Sequence, residues 1–132
     1  MTVVLDSSAL VAIVLGEPEA ERLVETLVGL SGRMVVGTPT LVEAGIVVEA
    51  RSGPDGVADL HALVVELEAD VVAFDEMHAG EAMAAWRRFG KGRHPAKLNL
   101  GDCYAYALAR LEDAELAFVG DDFSQTDVRT VR

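Results

Sequence analysis

The sequence predicts an α/β fold: a three-layer α/β/α sandwich around a mainly parallel central sheet of four to five strands. Three observations predict it. Short apolar runs at residues 3–5, 34–36, 71–74 and 116–119 read as buried strands. Between them lie longer segments whose apolar residues recur at helical spacing. Strands joined through helices form parallel pairs, and paired helices between strands cover both faces of the sheet.

Each element follows from local chemistry. Residues 3–5 are the first strand, and Ser7 or Ser8 opens a helix that ends near Gly16. Pro18 suits a first helical position. Beyond it Ala20, Leu23, Val24, Leu27 and Leu30 form an apolar stripe opposite Glu19, Glu21, Arg22 and Glu25. Residues 34–36 are the second strand. Thr38-Pro39 reads as an N-cap and first-turn proline, opening a helix to about Arg51. Gly53-Pro54-Asp55-Gly56 reads as a turn, and Val57, Leu60, Val64 and Leu67 stripe the next helix. Residues 71–74 are the third strand and 76–89 a helix carrying Met83 and Trp86. The loop GKGRHP spans 90–95, and 100–111 is a further helix. Residues 116–119 form the fourth strand, with 128–131 a candidate fifth.

The chain is expected to form a single domain over residues 1–132, long enough to bury a proper core, with no repeat, low-complexity tract or linker. Its 51 % hydrophobic and 25 % charged residues are those of a soluble globular chain. No apolar run approaches the length of a membrane span, and no signal-peptide pattern opens the sequence. The single cysteine, Cys103, cannot form an internal disulfide, which fits a reducing cytoplasm. A net charge of −11 argues against unaided binding to a polyanion. Five of the eleven basic residues nevertheless fall together: Arg87, Arg88, Lys91, Arg93 and Lys97, with no acid between Glu81 and Asp102. That strip is either a solvated loop or a surface for phosphates or a partner.

In parallel sheets of this kind function gathers at the C-terminal ends of the strands. Several acidic positions there are awkward for structure alone. Asp6 ends the first strand and can cap the following helix. It also stands between two apolar runs, where an isolated carboxylate is costly. Glu43 interrupts TLVEAGIVVEA, a helix apolar on nearly all faces and therefore buried. Asp102 in NLGDCYAYALAR follows Asn99 by three residues, as a capping-box partner. In that first turn the macrodipole keeps it ionised, which also suits a metal ligand. Asp121 and Asp122 follow the fourth strand in FVGDDFSQTD. A parallel sheet can bring these groups to one edge. Carboxylates so gathered repel one another and need compensation. With no histidine or cysteine cluster near, the compatible ion is hard and oxygen-seeking, Mg²⁺ or Mn²⁺. Sites of that type hydrolyse phosphodiesters.

The order of Asp6 in LDSSALVAI, Glu43 in TPTLVEAGIVVEAR, Asp102 in LNLGDCYAYALA and an acid in GDDF resembles the PIN-domain ribonucleases. It is most similar to the VapC toxins of bacterial toxin–antitoxin pairs, over essentially the whole chain. The resemblance implies a PIN-like α/β/α sandwich, a Mg²⁺- or Mn²⁺-dependent endoribonuclease and a homodimer. It also implies a cognate VapB-type antitoxin whose tail blocks the acidic cleft. By motif, Asp6, Glu43 and Asp102 are the expected catalytic, metal-binding carboxylates. The family usually carries Thr-x-Asp before an Asp-Phe pair. Here Val119-Gly120-Asp121-Asp122-Phe123 lacks that threonine, and Asp121 is the expected fourth acid, with Asp122 as the substitute. Ser8 matches the family's hydroxyl two residues after the first aspartate and is expected to hold a carboxylate or water. The implied reaction does not use the RNA 2′-hydroxyl as nucleophile and leaves a 5′-phosphate and a 3′-hydroxyl. The implied substrate is one structured RNA, such as a transfer RNA or ribosomal loop. The basic strip then holds RNA phosphates or contacts the antitoxin.

Other chemistries fit less well. His94 reads as an ordinary loop residue, and His61 and His78 as structural or solvated ones. Cys103 has no local histidine to make it a nucleophile. Trp86, Tyr104 and Tyr106 can stack on bases, but core packing is their commoner use. A haloacid-type phosphatase needs a second aspartate where this chain has Ser8, and no glycine-rich phosphate loop follows the first strand. The non-enzymatic alternative is an inactive PIN-like scaffold that binds RNA or a partner.

Overall fold

The computed structural model describes residues 1–30 and 32–131. Along the chain run β1 (Thr2–Leu5), α1 (Ser7–Leu15), α2 (Ala20–Gly29), β2 (Arg33–Gly37) and α3 (Thr38–Ser52). There follow α4 (Pro54–Glu66), β3 (Asp70–Val72), α5 (Glu76–Phe89), α6 (Leu100–Leu111) and β4 (Glu115–Ala117). The strands form one parallel sheet in the order β3-β2-β1-β4. Val3 of β1 sits opposite Met34 on one side and Glu115 on the other.

Strand side chains alternate between the two faces, and the core divides accordingly. Val4, Val35 and Leu116 pack with Ala85, Phe89 and Tyr106 of α5 and α6. Val3, Leu5, Val36 and Ala117 pack with Leu10, Leu27, Val48 and Leu60 of α1 to α4. The result is the expected three-layer sandwich, with β1 at its centre and the ends of β1 and β4 side by side.

The sequence reading needs correction at several boundaries, each for a local reason. Gly16, at φ 65, closes α1, and its N–H bonds back to Ala12 and Ile13. The chain then needs residues 17–19 to reverse, so Pro18 lies in a turn and α2 begins at Ala20. The cap of α3 is Gly37. Thr38 and Pro39 are the first two helical residues, where a missing N–H forfeits no intrahelical bond. Gly53 alone, at φ 73, makes the connection read as a four-residue turn, ending α3 and starting α4 at Pro54. β3 and β4 each stop two residues before the apolar pattern does. Phe74 packs against Tyr104 and Phe118 against Phe123, so their apolarity serves side-chain packing beyond the ladder. The candidate fifth strand makes one bridge, Thr130 beside Leu116, and seals the β4 edge without becoming a strand.

Candidate active site

Asp6 is the residue at which β1 becomes α1. Its backbone N–H donates to the Ala117 carbonyl at 3.0 Å, which ties it to the end of β4. Its extended backbone (φ −77, ψ 159) makes it the N-cap of α1. Oδ2 accepts from the Ser8 N–H at 3.1 Å and from the Ser8 hydroxyl at 2.6 Å. The Ser8 Oγ in turn accepts from the Val119 N–H at 3.0 Å, so one hydroxyl links the cap to the segment after β4. Capping and site-building therefore use the same oxygen. The other oxygen, Oδ1, is buried and has no hydrogen-bond partner among the described residues. The residue as a whole is 3 % exposed.

Asp102 enters from the first turn of α6. Asn99 caps that helix in a reciprocal box: Asp102 N–H donates to Asn99 Oδ1 at 2.9 Å, and Asn99 N–H donates to Asp102 Oδ2 at 3.0 Å. Asp102 is 7 % exposed. Glu43 reaches the same edge from α3, its carboxylate lying against the Cα of Gly101. Asp121 and Asp122 are exposed on the turn after β4. The backbone carbonyl of Asp121 accepts from the Ser124 N–H at 3.1 Å.

The electrostatics of this edge are those of crowded negative charge. Burial pushes the Asp6 carboxyl up to about 6, against the opposing hydrogen bonds from Ser8, and the charge of Glu43 raises it further. Burial also pushes Asp102 up to about 7. The Asn99 N–H opposes this, while Asp122, then Asp6, then Glu43 add to it. Asp102 thus feels three other acids, Asp122 from the final turn, Asp6 and Glu43, and Asp6 feels Glu43. The Cys103 thiol is pushed up to about 11 by burial and by Asp102, which suits an inert core residue.

These groups fit a divalent cation by their chemistry. All are carboxylates, and Asp6 Oδ1 is a buried acceptor to which no described residue donates. Among the described residues, no three of the His, Cys, Asp and Glu side chains stand close enough to enclose an ion by themselves. An ion here would take few protein oxygens directly and keep several waters, which is the habit of Mg²⁺.

The basic strip is not uniform. Arg88 donates to Asp127 at 2.8 Å and lies over the Phe89 ring, so it is committed to holding the C-terminal segment. Asp127 also receives the Tyr106 hydroxyl at 2.5 Å, and this connection left no signal in the sequence. Arg93 stands 4.9 Å over the Trp86 ring and donates to the Arg87 carbonyl. Lys91 joins Phe74, Trp86, Asn99, Leu100 and Tyr104 around a cleft of about 450 Å³ beside the start of α6. Among the described residues, Arg87, Lys91, Arg93 and Lys97 are exposed and make no ion pair. Tyr106 is buried, whereas Trp86 is 40 % exposed on the cleft. His94 accepts from the Ala96 N–H and packs edge-on against Phe89, as a strut of the loop. His78 completes the capping box of α5 with Asp75.

Known proteins share both the sequence and the fold. The PIN domain family model matches residues 3–129. Ribonuclease VapC30 of Mycobacterium tuberculosis is 42 % identical over 128 residues, 97 % of each chain. The crystal structure of Mycobacterium tuberculosis VapC20, described as a sarcin–ricin loop cleaving toxin, superposes with a TM-score of 0.80 at 17 % identity. The match covers 98 % of each chain. A toxin–antitoxin complex from Klebsiella pneumoniae superposes with a TM-score of 0.68 at 18 % identity, covering 95 % of this chain and 92 % of that one. A family match over nearly the whole chain, with a relative this similar over its full length, settles the membership: the chain belongs to the PIN-domain family and, within it, to the VapC ribonucleases.

Proposed function

We propose that this ribonuclease is the toxin of a toxin–antitoxin pair and cleaves RNA with a divalent cation, Mg²⁺ or Mn²⁺. Asp6 and Asp102 are its main protein ligands, and Glu43 and Asp122 contribute directly or through water. The observation that carries this reading is the buried, unpartnered Oδ1 of Asp6 among mutually repelling carboxylates. Asp122 takes the place of fourth acid here, ahead of Asp121, because its charge is the largest acting on Asp102.

When bound, the cation supplies positive charge that acidifies a water and stabilises the phosphate oxygens during in-line displacement. The chain's own residues set the stage for it. Ser8 fixes the Asp6 carboxylate through Oδ2 and leaves the buried Oδ1 without a partner among the described residues. Asn99 does the same for Asp102 through its Oδ2. Arg87, Lys91, Arg93 and Lys97 offer charge to RNA phosphates and offset the acidic body. Arg88 serves that surface by anchoring it. In this reading the whole chain, residues 1–132, acts as one PIN domain in a homodimer. A VapB-type antitoxin covers the acidic edge, as the Klebsiella toxin–antitoxin complex supports for this fold. The substrate is a structured RNA such as a transfer RNA or ribosomal loop, a class that includes the RNA named for VapC20. The site of action is the cytoplasm; among the described residues no helix is long and apolar enough to cross a membrane.

The test is cleavage of a structured RNA with Mn²⁺, with EDTA, and by Asp102→Asn. Mn²⁺ is expected to support cleavage. EDTA and the variant are both expected to reduce it to background, while the variant keeps its circular dichroism and melts no lower than wild type. Cleavage that persists in EDTA, or at an undiminished rate in Asp102→Asn, overturns the reading.

A further inference from the structure

We propose that Gly101 is a positioning residue for Glu43: its bare Cα, at the second position of α6, forms the recess in which the Glu43 carboxylate rests beside Asp6 and Asp102. The inference rests on the metal-site reading above and deepens it. A Cβ built on Gly101 would lie 2.5 Å from Glu43 Cδ and 2.6 Å from Oε1. All three nearest atoms to that Cβ belong to the Glu43 carboxylate. A side chain at 101 and the carboxylate in its present place therefore exclude each other.

The backbone gives no other reason for glycine. Gly101 is not among the positive-φ glycines and sits within regular helix. Glycine there weakens the helix relative to alanine. What it provides is approach: Glu43, projecting from α3, comes up against the first turn of α6, where the helix dipole favours a negative group. Its charge is felt at both Asp6 and Asp102, so this is the place from which it serves the site. The atoms that would collide are the far end of a flexible side chain. Substitution therefore moves Glu43 and leaves the fold intact.

Gly101→Ala is the direct test. The variant is expected to melt at or above the wild-type temperature, yet bind Mn²⁺ about tenfold more weakly by calorimetric titration. A crystal structure of the metal-free variant should show the Glu43 carboxylate displaced from α6. In a Glu43→Gln background, adding Gly101→Ala should change Mn²⁺ affinity by less than about twofold, because the two act as one unit. Gly101→Ser, which carries the same Cβ, should repeat the loss. Wild-type affinity in Gly101→Ala, an undisplaced Glu43, or an equal loss in the Glu43→Gln background each overturns the proposal. So does failure of both Gly101 variants to fold, which would assign the glycine to packing. If the wild type itself does not bind Mn²⁺, the metal reading falls, and the position of Glu43 in the variant crystal alone decides the role of Gly101.

Discussion

Asp6 and Asp102 are each held through one carboxylate oxygen, by Ser8 and by Asn99 respectively, and the energetics of the site follow from what that leaves uncompensated. Both acids are raised, to about 6 and about 7, chiefly by burial. The folded protein therefore holds protons that the unfolded chain has already released. The contribution of these two groups to stability is full below the ordinary aspartate value near 3.8. It declines as pH rises, through about 6 for Asp6 and about 7 for Asp102. The slope is at most about 1.4 kcal/mol per pH unit for each group. Urea denaturation in EDTA between pH 4 and pH 8 should show stability falling from about pH 4 to about pH 7 and levelling off above it. Asp102→Asn should flatten the upper part of the fall, and a flat wild-type profile would contradict the assignment. The places of these two acids in the fold were legible in the sequence, because a strand end and a helix first turn are local patterns. The Ser8–Val119 hydrogen bond was not, since it joins residues 111 apart and depends on β4 lying beside β1.

Helices α5 and α6 begin and end at the residues expected from the sequence, and the reason for their starts is capping. Asp75 with His78, and Asn99 with Asp102, each close a reciprocal box within four residues, so the signal is contained in the segment itself. The start of α4 is set locally by Gly53 and Pro54, but the second glycine of the segment has a tertiary use. Gly53-Pro54-Asp55-Gly56 has the composition of a turn, yet Gly56 is helical and buried against α3. A Cβ on Gly56 would stand 3.1 Å from Ser52 Cβ and 3.2 Å from Val48 Cγ1. The glycine thus permits the close crossing of α3 and α4. Gly56→Leu should overpack that crossing and destabilise the protein by about 1–3 kcal/mol in urea denaturation. Gly45, in α3, has nothing within 4 Å of a built Cβ. Gly45→Ala should instead gain up to about 1 kcal/mol from helix propensity alone. Equal responses at the two glycines would show that the crossing does not depend on Gly56.

At the scale of the whole molecule, a ribonuclease of net charge −11 must meet a polyanion, and the proposed function has it do so at the edge where the carboxylates gather. The structure separates the basic strip into a part that holds the C-terminal segment and an exposed part, which the proposed function assigns to RNA. Arg88 is bound to Asp127, whereas Arg93 and Lys97 are exposed and, among the described residues, make no ion pair. RNA affinity should therefore depend steeply on salt, through the few phosphates these side chains neutralise. For single-stranded RNA each lost phosphate contact lowers the slope of log affinity against log salt by about 0.7, so Arg93→Ala with Lys97→Ala should lower it by about 1.4. The loss should be similar across RNA sequences, because phosphate contacts carry no base information. Binding measured in EDTA on the Asp102→Asn background avoids cleavage during the titration. Arg88→Ala is the contrasting variant: it should lower the melting temperature slightly by removing one of the groups that hold Asp127, beside Tyr106 and Arg110, while leaving the salt slope close to wild type. An unchanged slope in the double variant would remove the strip from RNA binding and leave it as a surface for the antitoxin.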